Sequence, residues 1–397
     1  MGLSFVFQAF NLHFLEQLRI LWPFLTLGLL LNLGASLALL RLNGSWRLPM
    51  RFSVVTADSW MVFVGLLVLL PFTDSSFGRV KPVAVVFAVI FLLIQAAVLT
   101  GVAGLLWWQK SLRRAKKQRG LLWSYVGLHL LVIVTLFYAF WIEPFWIDVS
   151  YHQIQSAKIP PGTPPLKIVE ISDVHMERWT RRDTATLDLI TQIQPDLILL
   201  AGDYINTDYY DYTAYSDLHR FLKGLHAKYG VFAVQGVVDN YNGTRLQLPD
   251  TEVHLLENQS QQLTINGLTF YLVGLSSTSQ QTAWDAYQLA QVGANIPSDA
   301  LKFLLYHTPD LAPQAASAHY DFYFAGHTHG GQIDLPFYGA VFTHSEFGRK
   351  YAGGLYNIGN DSQMYVTRGL GFEGANLPRA RFLARPEISV FSFGPPK

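Results

Sequence analysis

Four long apolar stretches constrain this 397-residue chain more than any other feature of its sequence. They cover residues 20–40, 52–73, 82–109 and 120–142, with short polar loops between them. Each is long enough to cross ~30 Å of hydrocarbon at a helical rise of ~1.5 Å per residue. Buried helices of a large soluble core are the alternative, but four such stretches in succession favour a four-helix transmembrane domain over residues 1–147.

The basic residues in the loops predict how these helices are oriented. Loop one carries Arg41, Arg47 and Arg51, and loop three carries six Lys and Arg between residues 110 and 119, whereas loop two carries only Arg79 and Lys81. Loops rich in Lys and Arg lie on the cytoplasmic side of a membrane. We therefore expect an integral protein of the cell or inner membrane whose C-terminal domain is extracytoplasmic.

Three polar residues lie inside the apolar stretches: Asp58, Gln95 and His129. They are candidates for a function within the membrane, because polar and ionisable groups are costly there. The alternative is structural, since Asp58 can reach the interface and His129 can be neutral and hydrogen-bonded between helices. The sequence leaves both interpretations open.

Beyond the apolar stretches the composition changes. Residues 1–147 contain 12 Lys and Arg against 4 Asp and Glu, whereas the remainder contains 17 against 24. The proline-rich segment KIPPGTPPLK at 158–167 should be stiff and extended, so we assign residues 148–167 to a linker with the first strand and 168–397 to a water-soluble domain. Because the chain has no cysteine, any metal ion must be held by nitrogen and oxygen ligands.

Short apolar strands alternate with amphipathic helices in this second region. Strands are predicted at LKIVEISD, PDLILLAGD, GVFAVQG, LTFYLVGL, LKFLLYH and YDFYFAGH, and helices at TATLDLITQIQ, residues 212–229 and residues 282–291. Strands that are apolar throughout indicate an α/β sheet covered on both faces. Ligand-binding groups in such sheets gather at the carboxyl ends of the strands.

Aspartate and histidine follow the ends of several of these strands. The residues concerned are Asp173, His175, Asp203, His307, His327 and His329. A lone histidine is usually a structural or surface group, but this set favours a shared site for divalent transition metals, in which Asp203 could bridge two ions. In FAGHTHGGQI, Gly326, Gly330 and Gly331 allow a tight turn and clear space for a substrate phosphate.

The order of these motifs resembles the calcineurin-like metallophosphoesterases, and in particular a membrane-associated subgroup with a G-H-T-H-G-G-Q-I turn. The matching pieces are ISDVH, LLAGD, VFAVQG, YHTPD, FAGHTHGGQIDLP, YVTRGLGFEG and ARPEI, spread over residues 149–393. The resemblance implies a four-layer αββα sandwich beside the four-span membrane domain, and two divalent ions such as Mn, Fe or Zn.

The resemblance also implies a role for each predicted ligand. By position, the first ion would be held by Asp173, His175 and His329. The second ion would be held by His307 and His327, and Asp203 would bridge the two. The family's reaction is an in-line attack on phosphorus by a hydroxide that the ions activate.

One motif departs from the family pattern. Where the family has G-N-H-D or G-N-H-E, with Asn as a ligand of the second ion and His at the leaving group, this chain reads GVVDN at 236–240. Val237 and Val238 can neither coordinate an ion nor transfer a proton. We expect the second site to be weak or empty unless Asp239 or Asn240 supplies a substitute ligand.

Two functions from different classes remain. The first is a membrane-anchored, metal-dependent phosphoesterase that hydrolyses a phosphodiester or phosphoanhydride, including lipid-linked ones, with Asp203, Asp239 and Arg368 as catalytic candidates. Arg368 of TRGLG could instead form a structural ion pair. The second is a catalytically degenerate protein that binds metal or a phosphorylated headgroup without turnover. Both imply the bilayer and a phosphorylated small molecule or lipid as partners, and no nucleic acid; the six surviving ligand positions favour the enzyme.

Overall fold

The computed structural model describes residues 131, 134–206, 212–241, 244–245, 248, 251–277, 282–372 and 380–396. The first three predicted spans, residues 120–130 and 132–133 of the fourth, and Asp58, Gln95 and His129 lie outside the described residues. Within the described part of the chain, no helix is both long enough and apolar enough to cross a membrane. Ala139–Lys397 is one compact unit.

The described residues of this unit contain the following helices and strands. The helices are α1 (Arg181–Ile193), α2 (Tyr212–Lys223), α3 (Thr282–Gly293) and α4 (Ala312–Ser317). The strands are β1 (Asp148–Gln155), β2 (Leu166–Ile171), β3 (Leu197–Leu200), β4 (Val231–Ala233), β5 (Asn240–Tyr241), β6 (Thr244–Arg245), β7 (Val253–Leu255), β8 (Gln259–Ile265), β9 (Leu268–Leu275), β10 (Lys302–Tyr306), β11 (Phe322–Ala325), β12 (Asp334–Leu335), β13 (Gly339–Ala340), β14 (Gly354–Gly359), β15 (Ser362–Val366) and β16 (Glu387–Gly394).

Most of these strands form two six-stranded mixed sheets. The first has the order β1-β16-β2-β3-β4-β7, and the second has the order β14-β15-β11-β10-β9-β8. In the first sheet β2, β3, β4 and β7 are parallel, and β16 runs antiparallel to β2. In the second sheet β9, β10, β11 and β15 are parallel, with β8 and β14 antiparallel at the edges. Each sheet therefore has a block of parallel strands whose carboxyl ends share one edge.

The apolar side chains pack in three layers. The layer between the two sheets includes Phe303, Phe324 and Phe391. Helices α1 and α2 cover the outer face of the first sheet through residues such as Ile190 and Leu218, and α3 and α4 cover the outer face of the second. The unit is therefore an α/β sandwich with the αββα layering that the resemblance implies.

The strands predicted from continuous apolar runs are confirmed. Strands β3, β10 and β11 are buried along their whole length, as expected for sheets covered on both faces. The predicted helices are present as α1, α2 and α3, although α2 ends at Lys223 rather than at residue 229. Helix α1 begins after Thr180, whose backbone N–H donates to the Asp183 carboxylate at 2.7 Å, as in a helical capping box.

The proline-rich segment connects two strands of one sheet. Strand β1 pairs in parallel with β16 along eight residues, from Asp148 opposite Glu387 to Gln155 opposite Gly394. The segment at 158–167 then leads from β1 to β2. This differs from the sequence interpretation, which placed the segment between the two regions. The reason is that β1, DVSYHQIQ, is an edge strand with few buried side chains, so a search for continuous apolar runs does not detect it.

A buried glutamate joins the start of this unit to its C-terminal part. Glu143 is fully buried, and its carboxylate accepts hydrogen bonds from the backbone N–H groups of Leu383 at 2.8 Å and Ala384 at 2.5 Å. Buried carboxylates require such donors, because an unpaired buried charge is strongly unfavourable. The two bonds fix the segment that precedes β16.

Replacing Glu143 with Ala should destabilise the protein, because two buried N–H groups would lose their charged acceptor. We expect the free energy of unfolding to fall by about 1.5–3 kcal/mol. Thermal unfolding of the full-length protein in detergent measures the change, and Glu143→Gln, which keeps one acceptor oxygen, should lose less. Asp299→Ala at an exposed position is the control; equal melting temperatures for the two Ala variants would contradict this role.

Candidate metal centre

The predicted ligands lie where the parallel strands of both sheets end. Asp173 follows β2, Asp203 follows β3, His307 directly follows β10, and His327 follows β11. Side chains from four strands thus meet at the carboxyl edge of the sandwich, where α/β sheets bind their ligands.

The structure brings all six residues together in two groups. The first group is Asp173, His175 and His329, and the second is Asp203, His307 and His327. In each group one ligand atom from every residue lies within 4.8 Å of the others. These are the same two sets that the resemblance implies for two ions.

In the first group the two imidazoles face each other. His175 Nε2 and His329 Nε2 are 3.2 Å apart. Asp173 Oδ1 lies 3.6 Å from His329 Nε2 and 3.9 Å from His175 Nε2. All three side chains are buried, so their ligand atoms converge on a small volume from which bulk water is largely excluded.

Asp203 lies between the two groups. Its Oδ2 is 3.1 Å from His307 Nε2 in the second group and 3.7 Å from His175 Nε2 in the first. A carboxylate in this position can contact an ion on either side, which is the arrangement expected of a bridging ligand.

Hydrogen bonds to backbone carbonyls orient the imidazoles of the second group. His307 Nδ1 donates to the Ala201 carbonyl at 2.7 Å, and His327 Nε2 donates to the His344 carbonyl at 3.3 Å. The other ring nitrogens, His307 Nε2 and His327 Nδ1, then face each other at 3.1 Å. A proton on His307 Nε2, or a cation, would relieve the repulsion between two lone pairs at this distance, and Asp203 Oδ2 lies equally close to His307 Nε2 at 3.1 Å. Such backbone contacts are how metal-binding histidines are usually held.

The charges of the site shift the pKa values of its members. Burial lowers the pKa of His307, but the carboxylate of Asp203 more than reverses this and raises it to about 9. Burial and the neighbouring His307 lower the pKa of His327 to about 3. For Asp203, the effect of burial is overcome by His307 and His175, which hold the pKa of that carboxyl well below its usual range. The second group therefore combines an ionised carboxylate with one neutral and one readily protonated imidazole, and a metal ion would displace the proton of His307 Nε2.

The space around the carboxylates tests whether a divalent ion fits here. A Cβ on Gly326 would stand 2.5 Å from Asp173 Oδ2, and a Cβ on Gly236 would collide with Asp203 Oδ1, so glycine keeps both carboxylates clear. Buried carboxylates and imidazoles with this clearance suit divalent transition metals, and the residues present fit two such ions.

The backbone is strained at most of the ligand positions. Positive φ angles occur at Asp173 (53°), His175 (44°), Asp203 (56°), His327 (71°) and His329 (53°). Non-glycine residues adopt this region uncommonly, although Asp and His do so more readily than most. Such residues cluster at functional sites, where the surrounding structure holds them in place.

The RGLG segment packs directly against Asp173. A Cβ on Gly369 would stand 2.6 Å from Asp173 Cβ, and Gly369 has a φ of 65°. Leu370 N–H donates to the Ser172 carbonyl at 3.0 Å and Gly371 N–H donates to the Asp173 carbonyl at 2.5 Å. The glycines of this motif are therefore explained by close backbone approach behind the first ligand.

Arg381 was not identified from the sequence, yet it supports the first group. Its fully buried guanidinium donates to the carbonyls of Arg368 (2.8 Å), Ala384 (2.7 Å) and Gly371 (2.5 Å), and it also contacts His329 O and Nδ1 at 3.4 Å. Burial lowers the pKa of Arg381 to about 9. Its segment, RARFLARP, contains three arginines, and no local pattern distinguishes this one.

Asp239 was considered as a substitute ligand of the second ion and as a catalytic candidate. It belongs to neither ligand group. Its carboxylate instead accepts hydrogen bonds at 2.8 Å from the backbone N–H groups of Asp203, Tyr204 and Gly236. Burial and the charge of Asp203 raise the pKa of Asp239 to about 6. In this structure Asp239 holds the loop that carries Asp203 and does not replace the missing ligand.

Arg368 forms ion pairs with acidic residues. Its Nη2 is 2.7 Å from Asp148 Oδ2 and 3.3 Å from Glu387 Oε1. The stem of the side chain passes beside Gly330, where an added Cβ would stand 2.7 Å from Arg368 Cγ. The structural ion pair considered for this arginine is present, and its catalytic role stays a prediction.

The two valines border the bridging carboxylate. Val237 and Val238 form a 3-10 turn with Asp239 after β4, and the Val238 backbone N–H donates to Asp203 Oδ1 at 2.9 Å. The strand end at which valines replace the family's Asn and His therefore still adjoins the site. The backbone N–H of Val238 contacts Asp203, but neither valine side chain can bind an ion or transfer a proton.

Comparison with known proteins agrees with this geometry. Residues 166–335 match the family model described as the calcineurin-like phosphoesterase superfamily domain. The chain is 33% identical to the metallophosphoesterase YkuE of Bacillus subtilis over 271 residues, which cover 64% of this chain and 88% of YkuE. It is 29% identical to the phosphodiesterase YaeI of Escherichia coli over 262 residues, or 64% of this chain and 90% of YaeI.

A third relative is more distant. The UDP-2,3-diacylglucosamine pyrophosphatase LpxG of Chlamydia trachomatis is 25% identical over 286 residues, which cover 57% of this chain and 82% of LpxG. Each of these relatives is matched over most of its own length. Together with the sandwich fold and its clustered ligands, the matches establish that the chain belongs to the calcineurin-like metallophosphoesterase family.

Proposed function

We propose that this protein is a membrane-anchored phosphoesterase that depends on divalent metal ions and cleaves a phosphodiester or a phosphoanhydride. The observation that carries the proposal is the pair of buried Asp and His groups with Asp203 between them. When bound, two divalent ions would activate a water molecule and neutralise the phosphoryl oxygens of the substrate. The chain itself supplies the ligands and holds them in place.

In this proposal Asp173, His175 and His329 hold one ion and His307 and His327 hold the other, with Asp203 shared. The backbone acceptors at Ala201 and His344 fix the tautomers of the second pair. Pre-set ligands lower the reorganisation that metal and substrate binding would otherwise require.

The names of the relatives support the reaction class. YaeI is named a phosphodiesterase and LpxG a pyrophosphatase, so the two bond types in the proposal each have a named relative. The substrate of LpxG carries acyl chains and a diphosphate in its name, which supports extending the proposal to lipid-linked substrates.

The membrane anchor is proposed from the sequence. Four apolar stretches in residues 1–142 and the distribution of Lys and Arg in their loops support an integral membrane protein of the membrane-associated subgroup. The same distribution supports an extracytoplasmic catalytic domain.

A second function is favoured by one observation. Val237 and Val238 remove an ion ligand and a proton donor from a strand end that adjoins Asp203. A protein that binds metal or a phosphorylated headgroup without turnover would tolerate this loss.

Replacing His329 with Ala should weaken the first metal site. Removing a residue that only hydrogen-bonds a metal ligand costs ~10–100-fold in metal affinity. Removing the ligand itself should cost at least as much. We expect bound metal, measured by elemental analysis of the purified full-length protein, to fall by up to one ion per chain. The metal-dependent rise in melting temperature should shrink with it. His226→Ala, at an exposed position, is the control, and unchanged metal content in His329→Ala would remove this residue from the ligand set.

Restoring the family residues at the valine turn should change the preference among leaving groups. General acid catalysis contributes ~10²- to 10⁴-fold, so residual activity should favour diphosphates and aryl esters, whose leaving groups are stable anions. Val237→Asn with Val238→His should raise turnover of an alkyl diester more than that of a diphosphate, and should raise occupancy of the second ion.

The control for this experiment is Val237→Ala with Val238→Ala, which removes the valines without adding a ligand or donor. All three proteins are assayed with saturating manganese on an aryl diester, an alkyl diester and a diphosphate. Equal rates on all substrates, with no gain on restoring the pair, would support the binding protein instead of the enzyme.

The orientation of the catalytic domain can be measured with reporter fusions. Alkaline phosphatase joined after Lys397, beyond the last strand of the first sheet, should be active if the C terminus is extracytoplasmic, because that enzyme requires an oxidising compartment for its disulfides. A reporter active only in the cytoplasm should be silent at the same position. The opposite pattern would reverse the proposed topology.

A further inference from the structure

A group of exposed apolar side chains adjoins the turn that carries His327 and His329. The residues are Ile142, Trp146, Leu335, Phe337, Tyr338 and Leu383, which we call the rim. Each is more than two-fifths exposed, and the Phe337 side chain is completely exposed. Apolar patches of this kind on soluble surfaces usually mark contact sites.

The rim is continuous through backbone contacts. The hairpin β12–β13, which carries Leu335, Phe337 and Tyr338, lies against the metal-site turn, because a Cβ on Gly331 would collide with Ala340. Its base pairs with the segment before Leu383, since Asp334 N–H donates to the Phe382 carbonyl at 2.8 Å.

The other members join at the same segment. Leu383 N–H binds the carboxylate of Glu143, which lies between Ile142 and Trp146 in the chain, and Arg385 Nε donates to the Trp146 carbonyl at 3.0 Å. The rim residues therefore lie on segments that are hydrogen-bonded to one another next to the metal-site turn.

The tip of the hairpin has a residue that its backbone does not favour. Tyr338 N–H donates to the Leu335 carbonyl at 3.0 Å, which closes a β-turn with Pro336 at its second position and Phe337 at its third. Phe337 has a φ of 68°, and in a type II turn this position normally holds glycine or asparagine. Phenylalanine at this position is unfavourable in two ways, because its backbone has a positive φ and its apolar side chain is exposed to water. This indicates that the side chain binds another surface.

Cations flank the aromatic residues of the rim. The guanidinium of Arg349 lies 4.4 Å from the centre of the Tyr338 ring, and that of Arg385 lies 4.3 Å from the centre of the Trp146 ring. Lys350 is exposed beside Arg349.

Three acidic residues lie nearby. Asp148 Oδ1 is 3.6 Å from Arg385 Nη2, so part of the charge of this arginine is already balanced. Asp334 is at the base of the hairpin, and Glu346 accepts a hydrogen bond from Thr282. Exposed Trp, Tyr and Phe with adjacent Arg and Lys are typical of protein surfaces at the boundary between headgroups and acyl chains.

We propose that the rim docks into the surface of an anionic lipid bilayer, with Phe337 at the tip of the hairpin inserted below the headgroups. Charge supports this occupant, because Arg349, Lys350 and Arg385 would meet anionic headgroups. Chain position supports it as well, since the fourth predicted span ends at Ile142, which is itself part of the rim.

Docking would bring the metal-site turn to the level of lipid phosphates. A preference for lipid-linked phosphates as substrates would follow, and this part rests on the proposed function. The docking itself does not depend on any reaction.

The test uses the absence of cysteine from the chain. Single-cysteine variants Phe337→Cys, Leu383→Cys and Ser298→Cys of the full-length protein are labelled with an environment-sensitive fluorophore. They are then reconstituted in vesicles of phosphatidylcholine and phosphatidylglycerol that carry a nitroxide quencher on the acyl chains. Ser298 is exposed in the loop before β10, at the opposite end of that strand from His307, and is the control.

We expect the probes at 337 and 383 to be quenched about twofold or more, because interfacial side chains lie ~5–10 Å inside the headgroup boundary. The probe at 298 should keep its intensity. Equal intensities at all three positions would overturn the proposal. Protection of position 337 from aqueous iodide without quenching by the lipid nitroxide would also overturn it, since a protein partner or a second copy would then cover the rim. Neither readout depends on metal content or activity, so the proposal fails separately from the proposed function.

Discussion

The buried guanidinium of Arg381 holds together parts of the chain that the metal centre requires. It donates to carbonyls of the RGLG segment and of Ala384, and it contacts the backbone and ring of His329. Arginine suits this position because its donors form a rigid planar fork that carbonyl oxygens can surround. The cation also lies close enough to Asp173 for their charges to interact. Its side chain therefore links the last segment before β16 to the first ligand group through His329.

The metal centre combines rigid support with local strain. Four parallel strands deliver ligands to one edge, and glycines at 326, 236 and 369 let backbone and carboxylates approach closely. Five of the six ligands nevertheless adopt positive φ angles, which cost ~1–3 kcal/mol each in sparsely populated regions. The three apolar layers of the sandwich offset this cost. Stability and ligand geometry are thus supplied by different parts of the same unit, and the loops at the carboxyl edge carry the strain.

How far the sequence predicts this molecule depends on the kind of signal. Fully buried strands such as β10 and β11 are continuous apolar runs, so their ends, and hence His307 and His327, could be located from the sequence. Strand β1 is at a sheet edge and has one buried residue, so its pattern resembles a polar linker.

The hydrogen-bond partners of a polar side chain could not be predicted from the sequence in the same way. Asp239 occupies a family motif, yet its carboxylate binds three backbone N–H groups. Arg381 binds carbonyls that become neighbours only in the folded chain. Neither contact leaves a local pattern, because both partners are set by tertiary structure.

The place of β16 in the first sheet has a consequence for synthesis. This strand lies between β1 and β2, yet it begins about 220 residues after β2 begins. At ~5–20 residues per second, a ribosome needs roughly 10–45 s to cover that distance. During this interval β1 has no neighbour in its sheet and β2 has one unpaired edge, which is the kind of edge that recruits other chains. Arg381 is also absent until the end of this interval, so the emerging chain has a period in which its edges need protection and its metal centre is incomplete.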